Sequence, residues 1–329
     1  MRVFVSAPLP GDAVDLLRRH AEVVVGEGLG VRGATFLEGA LHFDAALTLL
    51  TDRVDGELLR RCPKLRLVAN MAVGVDNVDL SACREAGVTV TNTPDVLTEA
   101  TADLAFGLLL ATARRIAEGD RGIRAGDFPP WTPTTMLGTR VFGGTLGLVG
   151  FGRIGQAMAR RARGFGIHAL YTQRTRLPEN LERATGARYL PLDALVAEAD
   201  FVSLHCPLTD ETRKLISAER LARMKPGAIV VNTARGGCVD EAALIAALES
   251  GHLGGAGLDV FEDEPRVPAR LAALPNVVLT PHVASADRST REAMARLAAE
   301  NVVAFVQGLP LRTPVGAYRF ARMSAKAVS

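Results

Sequence analysis

The sequence lacks several features that would mark a specialised class of protein. Its four cysteines, Cys62, Cys83, Cys206 and Cys238, form no C-x-x-C pair. Neither a zinc site nor a disulfide framework is therefore predicted, and a reducing cytoplasm fits. Lysine and arginine exceed aspartate and glutamate by only two among 329 residues, which gives no electrostatic case for binding nucleic acid.

Long apolar runs are also scarce. The first six residues enter a strand pattern, MRVFVS, without the apolar core of a signal peptide. The apolar run from Leu104 to Ala113 is too short to span a membrane and lies within a helical stretch. We therefore expect a cytoplasmic globular protein with no membrane partner.

The clearest positive feature is the stretch from Thr145 to Gly155, TLGLVGFGRIG. A predicted buried strand runs into Gly150, Gly152 and Gly155, and a helix is predicted over residues 156–163. In such a motif the glycines allow a tight turn, a close approach of pyrophosphate, and packing of the helix on the sheet. The helix N-terminus then attracts the phosphates. This order predicts a dinucleotide site, with a ligand-free glycine-rich turn as the alternative.

Strands and helices alternate in two series, which predicts an α/β fold with parallel sheets. The first series runs from Met1 to about Asp95. The second runs from Thr145 to His282 and contains six predicted strands. Between them a long helix is predicted over 97–124, with a break expected near Gly107 or Gly119. The last predicted helix covers 287–307, and a loose tail is expected from 319 onward.

The position that reads the adenosine ribose carries no acid. In dinucleotide domains an Asp or Glu is expected about 20 residues past the first glycine. Here the second strand ends in YTQRTR, and the first acid is Glu179. Arginine pairs well with a 2′-phosphate, so we predict a preference for NADPH over NADH. Arg174 is the expected main contact and Arg176 a helper; the alternative is that both are surface charges.

Three residues after predicted strands are candidates for the chemistry. The planar guanidinium of Arg235 suits a carboxylate and a neighbouring carbonyl. His282 can transfer a proton near neutral pH, and Glu264 can orient it and favour the imidazolium. Taken singly, each has an ordinary alternative as a surface charge, a turn carboxylate or a packed histidine.

Taken together, the motifs resemble the D-isomer-specific 2-hydroxyacid dehydrogenase family over nearly the whole chain. The motifs are AVGVDNVD (72–79), the glycine motif, LHCPLT (204–209), NTARGGCVDE (232–241), GLDVFEDEP (257–265) and PHVASA (281–286). The resemblance implies two doubly wound parallel-sheet domains. A Rossmann-type NAD(P)-binding domain, 98–285, is inserted in a flavodoxin-like substrate domain made of 1–97 and 286–329, which closes over it.

The resemblance also implies roles for single residues. Arg235 binds the substrate carboxylate and polarises the keto oxygen, while His282, paired with Glu264, donates the proton. Backbone N–H groups of Val73 and Gly74 bind the carboxylate. Hydride moves from the nicotinamide to C2 of a small 2-oxo acid, giving the D-2-hydroxy acid, and no metal is needed.

The implied binding residues form two sets. The cofactor set is Thr101, Gly150, Gly152, Arg153, Ile154, Gly155, Gln173, Arg174, Arg176, His205, Cys206, Pro207, Thr233, Ala234, Arg235, Asp259, His282 and Ala284, with Asp259 holding the nicotinamide amide. The substrate set is Leu50, Val73, Gly74, Trp131, Arg235 and His282.

Within the family the sequence is similar to the glyoxylate/hydroxypyruvate reductase branch. The segments WTPTTMLG (131–138) and YTQR (171–174) carry this similarity. In some members of that branch the tryptophan reaches the partner subunit, so the resemblance implies a homodimer and a role for Trp131. Asp287 departs from the Thr that is frequent there. A dehydrogenase of D-lactate, D-glycerate or 3-phosphoglycerate, and a nucleotide-sensing corepressor-like protein, stay open as alternatives.

Overall fold

A computed structural model describes residues 1–27 and 42–316, and the expected loose tail over 319–329 lies outside these ranges. The chain divides into two compact units, Met1–Leu97 with Ser285–Ser329, and Thr98–Ala284. The division expected from the sequence assigned residue 285 to the second unit. Of the helices within the described ranges, none has the length and apolar character needed to cross a bilayer.

The elements follow the alternation seen in the sequence. The strands are β1 (Arg2–Val5), β2 (Glu22–Val25), β3 (Ala45–Thr48), β4 (Leu67–Asn70), β5 (Thr89–Thr91), β6 (Thr145–Val149), β7 (His168–Thr172), β8 (Arg188–Tyr189), β9 (Phe201–Leu204), β10 (Ile229–Asn232), β11 (Gly255–Leu258) and β12 (Val277–Leu279). The helices are α1 (Ala13–Arg18), α2 (Gly56–Arg61), α3 (Leu80–Glu85), α4 (Thr98–Ala113), α5 (Ile116–Arg124), α6 (Arg153–Gly164), α7 (Glu179–Thr185), α8 (Leu192–Glu198), α9 (Ala218–Arg223), α10 (Glu241–Glu249), α11 (Ala269–Ala272) and α12 (Arg288–Val306).

The first unit contains a five-stranded parallel sheet in the order β2-β1-β3-β4-β5. Every residue of β3 and β4 is buried, as expected for central strands covered by helices on both faces. The C-terminal helix α12 packs against β3 and β4 of this sheet. Its start is capped by Asp287, whose carboxylate accepts a hydrogen bond from the Thr290 N–H at 2.8 Å.

The second unit contains a seven-stranded parallel sheet in the order β12-β11-β10-β9-β6-β7-β8. The winding direction reverses between β6 and β9, and ligands of such sheets bind at the carboxyl ends of the strands beside this switch point. The two sheets confirm the predicted fold class. The sequence indicated six strands here; β8 has only two residues and is too short to give a periodic pattern.

The long helix predicted over 97–124 is two helices, and the predicted break near Gly107 or Gly119 is wrong. The break lies between α4 and α5, where Arg115 has a left-handed φ of 55°. A bidentate ion pair with Glu118, at 2.7 and 2.6 Å, stabilises this turn. Gly107 lies inside α4, because the apolar face of that helix packs on β10 and β11 and outweighs a glycine's cost of about 1 kcal/mol.

Candidate active site

The glycine turn connects β6 to α6 at the switch point. Gly150 has a φ of +92°, and a Cβ there would lie 2.6 Å from the carbonyl oxygen of His205. A Cβ on Gly155 would lie 2.3 Å from the carbonyl oxygen of Gly150. Packing within the protein, independently of any bound cofactor, therefore requires glycine at both positions. Helix α6 begins at Arg153, three residues before the predicted start, so that Ile154 and Gly155 belong to its first turn.

Gly152 differs from the other two glycines of the turn. A Cβ there would meet no protein atom within 4 Å, and its φ of −72° suits other residues. The open space at the N-terminus of α6 fits a pyrophosphate lying close to the backbone. At the end of β10, the hydroxyl of Thr233 is buried without a hydrogen-bond partner among the described residues. Both observations fit a bound dinucleotide.

The carboxyl end of β9 carries three of the predicted cofactor residues, His205, Cys206 and Pro207. The His205 Nε2 atom lies 2.9 Å from the Ser203 hydroxyl. Burial lowers the pKa of His205 to about 4, so the ring is neutral at neutral pH. The sulfur atoms of Cys206 and Cys238 lie 4.0 Å apart.

The two arginines at the ribose-reading position have different surroundings. The Arg176 guanidinium donates two hydrogen bonds of 2.8 Å to the Glu182 carboxylate. Glu182 also accepts a hydrogen bond from the Tyr171 hydroxyl. Arg174 has no hydrogen bond or ion pair with any residue in the described ranges, and Gln173 beside it donates to the Thr175 carbonyl. Glu182, six residues beyond Arg176, was not recognised in the sequence; it gives Arg176 a partner other than the predicted 2′-phosphate.

Glu264 and His282 form the pair that the sequence motifs predicted. The Nδ1 atom of His282 lies 2.8 Å from Glu264 Oε2, and the Phe261 N–H donates to Glu264 Oε1 at 3.1 Å. Burial opposes ionisation of Glu264, but the hydrogen bonds from His282 and Phe261 and the charges of His282 and Arg235 outweigh it. The pKa of Glu264 is therefore lowered, and the carboxylate is ionised at neutral pH.

Arg235 is held by the loop that follows β10. Asn232 accepts a hydrogen bond from the Ala234 N–H at 3.0 Å and donates to the Arg235 carbonyl at 2.9 Å. A Cβ on Gly236 would lie 1.9 Å from the carbonyl carbon of Phe261. Only glycine therefore lets the Arg235 loop lie against the Phe261–Glu264 loop, and this contact brings Arg235 close enough for its charge to act on Glu264.

Hydrogen bonds to Asp259 hold the loop that carries His282. His282 has a left-handed φ of 53°, a conformation that costs about 1–3 kcal/mol and persists only when the surroundings enforce it. The fully buried Asp259 carboxylate accepts hydrogen bonds from the Thr280 hydroxyl and from the N–H groups of Val283 and Ala284 at 2.8 Å each. Asp259 thus positions the histidine loop, while its contact with the nicotinamide amide stays a prediction.

The other predicted residues come from other elements of the chain. Leu50 follows β3, and Val73 and Gly74 follow β4, so all three belong to the first unit. Thr101 is buried in the first turns of α4. Trp131 lies in the loop after α5 with 85% of its surface exposed. Their substrate and cofactor roles stay predictions.

The arrangement in the second unit can bind an anion and protonate an oxygen. A guanidinium, a carboxylate and an imidazole meet at the carboxyl ends of β10, β11 and β12, within the same sheet as the glycine turn. No group of three His, Cys, Asp or Glu side chains within residues 1–27 and 42–316 could hold a metal ion. Such a site suits hydride transfer to a carbonyl that carries a neighbouring carboxylate.

Comparison with known proteins identifies the class. Residues 106–284 match the family described as D-isomer specific 2-hydroxyacid dehydrogenase, NAD binding domain. The chain belongs to this family, as its motifs predicted. It is an NAD(P)-dependent oxidoreductase, and its second unit binds a nicotinamide dinucleotide.

Individual relatives cover nearly the whole chain. A glyoxylate reductase from Thermococcus onnurineus is 50% identical over 312 residues, 93% of each protein. A crystal structure of a protein from Thermus thermophilus is 50% identical, with a TM-score of 0.89 over 96% of this chain and all of that one. An NADPH-dependent glyoxylate/hydroxypyruvate reductase from Sinorhizobium meliloti, in complex with NADP and malonate, is 37% identical, with a TM-score of 0.83 over 99% of each chain.

The hydrogen-bonded cluster of Glu182, Arg176 and Tyr171 predicts a pH dependence of the protein's stability. Hydrogen bonds from Arg176 and Tyr171 lower the pKa of Glu182 from 4.5 to about 2. A lowered folded-state pKa contributes stability that is fully present above the unfolded value and lost as the pH falls toward the folded value. We expect the urea midpoint of the wild type to fall between about pH 5 and pH 2 more steeply than that of Glu182→Gln.

Glu219→Gln is the matched control, since Glu219 forms an exposed helical pair with Arg223 and should leave the slope unchanged. Equal slopes for the wild type and Glu182→Gln would show that the cluster does not set this dependence.

Proposed function

We propose that this protein reduces glyoxylate and hydroxypyruvate with NADPH, giving glycolate and D-glycerate. The observation that carries the proposal is the His282–Glu264 pair beside Arg235, in the sheet whose glycine turn fits a dinucleotide. The identity with the T. onnurineus glyoxylate reductase supports the substrate. A small 2-oxo acid is thus the proposed partner.

The proposed mechanism divides the reaction between three side chains. Arg235 binds the carboxylate and polarises the keto oxygen, where negative charge develops. His282 uses Nδ1 toward Glu264, so its Nε2 atom is the proton donor to that oxygen. Ionised Glu264 holds the Nδ1 side of the His282 ring and so orients Nε2 for the transfer. The nicotinamide, when bound, supplies the hydride to C2.

The proposed preference for NADPH rests on the ribose-reading turn. Arg174 makes no hydrogen bond or ion pair with the residues described and is therefore available to a 2′-phosphate. Arg176, engaged by Glu182, supports the turn rather than the phosphate directly. The S. meliloti relative, described as NADPH-dependent, supports the same choice.

We also propose a homodimer that uses the exposed apolar face of α5 and the loop after it. Large apolar exposed patches mark interaction sites. The exposed fractions on this face are 58% for Ile116, 52% for Ile123, 82% for Phe128, 85% for Trp131 and 64% for Leu137.

Because the cysteines show no disulfide or zinc spacing, we expect the enzyme in the cytoplasm.

The first experiment measures oxidation of NADPH and NADH with glyoxylate, hydroxypyruvate, pyruvate and 2-oxoglutarate. We expect the fastest turnover with NADPH and the first two acids. Arg174→Ala should lower kcat/KM for NADPH by about ten- to a hundredfold, the effect of losing a charge-assisted hydrogen bond, and change NADH use little. Arg188→Ala, an exposed arginine paired with Glu198, is the control.

Each other outcome has a definite meaning. An unchanged NADPH-to-NADH ratio in Arg174→Ala would remove Arg174 as the 2′-phosphate ligand. Turnover with NADH alone would overturn the cofactor preference. Tight nucleotide binding without turnover of any acid would favour a nucleotide-sensing protein.

The proposed dimer predicts that charged substitutions in this face lower the molecular mass of the protein in solution. Phe128→Asp combined with Trp131→Asp should convert the dimer to a monomer in light scattering, because two buried apolar contacts become charged. Leu309→Asp is the control, since Leu309 is 55% exposed in the first unit and lies outside this face. A wild type that is monomeric, or a double variant that stays dimeric, would rule out this interface.

A further inference from the structure

We infer that Asn92 and Asn70 are positioning residues for the substrate carboxylate, acting through the peptide groups of the loop after β4. They orient a row of three N–H donors, those of Val73, Gly74 and Val75. The inference rests on the proposed 2-oxo acid function and deepens it, since it names a third donor and the groups that orient all three.

Two asparagine side chains hold successive carbonyl groups of this loop. Asn92 Nδ2 donates a hydrogen bond of 2.9 Å to the Val73 carbonyl. Asn70 Nδ2 donates one of 3.0 Å to the Gly74 carbonyl. Both carbonyls are thereby fixed toward the body of the first unit.

A third carbonyl is fixed by the backbone. The Thr93 N–H donates to the Ala72 carbonyl at 2.9 Å. Asn92 and Thr93 directly follow β5, which lies beside β4 in the sheet. One short segment therefore holds two of the three peptide groups, and the end of β4 holds the third.

Because the peptide group is planar, these contacts with the carbonyl groups also fix the directions of the following N–H groups. In a trans peptide the C=O of one residue and the N–H of the next point to opposite sides. When the carbonyls of residues 72, 73 and 74 face the protein, the N–H groups of Val73, Gly74 and Val75 face away from it. None of these three N–H groups has a hydrogen-bond acceptor among the residues described here, and Val73 is 37% exposed.

Asn70, which holds the loop after β4, is buried, and its polar atoms are hydrogen-bonded within the protein. Asn70 is fully buried; its Oδ1 accepts hydrogen bonds from the Thr48 hydroxyl at 3.1 Å and from Asn77 Nδ2 at 3.2 Å. Asn77 also donates to the carbonyls of Leu49 and Asp52, at 3.1 and 2.8 Å. A fully connected buried network of this kind is rigid, so the donors are oriented before a ligand arrives.

Successive N–H groups that face one way favour an anion. A carboxylate presents two acceptor oxygens, which can accept hydrogen bonds from these donors. The geometry therefore suits the carboxylate that every 2-oxo acid shares, and it leaves discrimination between the acids to other groups.

Asn92→Ala is the direct test, because Asn92 is only half buried and can be replaced with little risk to folding. Loss of one orienting hydrogen bond should raise KM for glyoxylate by about three- to tenfold. Turnover at saturating substrate and KM for NADPH should stay within about twofold. Asn180→Ala, an exposed asparagine on α7 of the other unit, is the matched control.

A second measurement is independent of turnover. Amide NMR of the full-length protein with oxidised cofactor is followed during titration with oxalate, a carboxylate that cannot be reduced. In the wild type the Val73, Gly74 and Val75 amides should shift, and in Asn92→Ala the Gly74 shift should shrink most.

The outcomes separate this inference from the proposed function. An unchanged KM for glyoxylate in an active Asn92→Ala enzyme would overturn the inference and leave the function standing. So would a Gly74 response that persists in the variant while oxalate shifts the Asn92 side-chain amide of the wild type, since that result means direct contact. Oxalate shifts without turnover of any 2-oxo acid would overturn the function and keep the carboxylate site.

Discussion

The hydrogen bond of 2.8 Å between Glu264 and His282 is the contact on which the chemistry proposed for the second unit depends. It requires two loops from different strands to meet, and a close backbone approach and a buried carboxylate enforce that meeting. Gly236 lets the Arg235 loop touch Phe261, and Asp259 holds His282 in a left-handed conformation. The proposed chemistry of three side chains thus depends on a glycine and a buried carboxylate that need not touch the substrate.

The two units use the same physical device for different purposes. In the second unit the buried Asp259 accepts hydrogen bonds from the N–H groups behind the histidine. In the first unit Asn70 and Asn92 donate to carbonyl groups and so leave N–H groups facing outward. A buried polar side chain that is fully hydrogen-bonded fixes a loop more tightly than apolar packing, because an unpaired partner would be penalised.

The sequence predicts what is local and leaves out what depends on distant contacts. The glycine motif and the Arg235, Glu264 and His282 segments each carry a short pattern, so the fold class and family could be predicted. The break at Arg115 could not, because its ion pair and the packing of α4 outweigh the glycine signal. Glu182 and Asn92 were missed because their partners come from chain folding, 6 and 19 residues away.

The most direct test of the central claim compares wild-type protein with His282→Ala in the reduction of glyoxylate by NADPH. If His282, held by Glu264, is the proton donor, kcat should fall by about a hundredfold or more, as for the loss of a general acid. The dissociation constant for NADPH, measured by fluorescence titration, should stay within about twofold. A kcat like that of the wild type would contradict the account and would assign the proton transfer to another group.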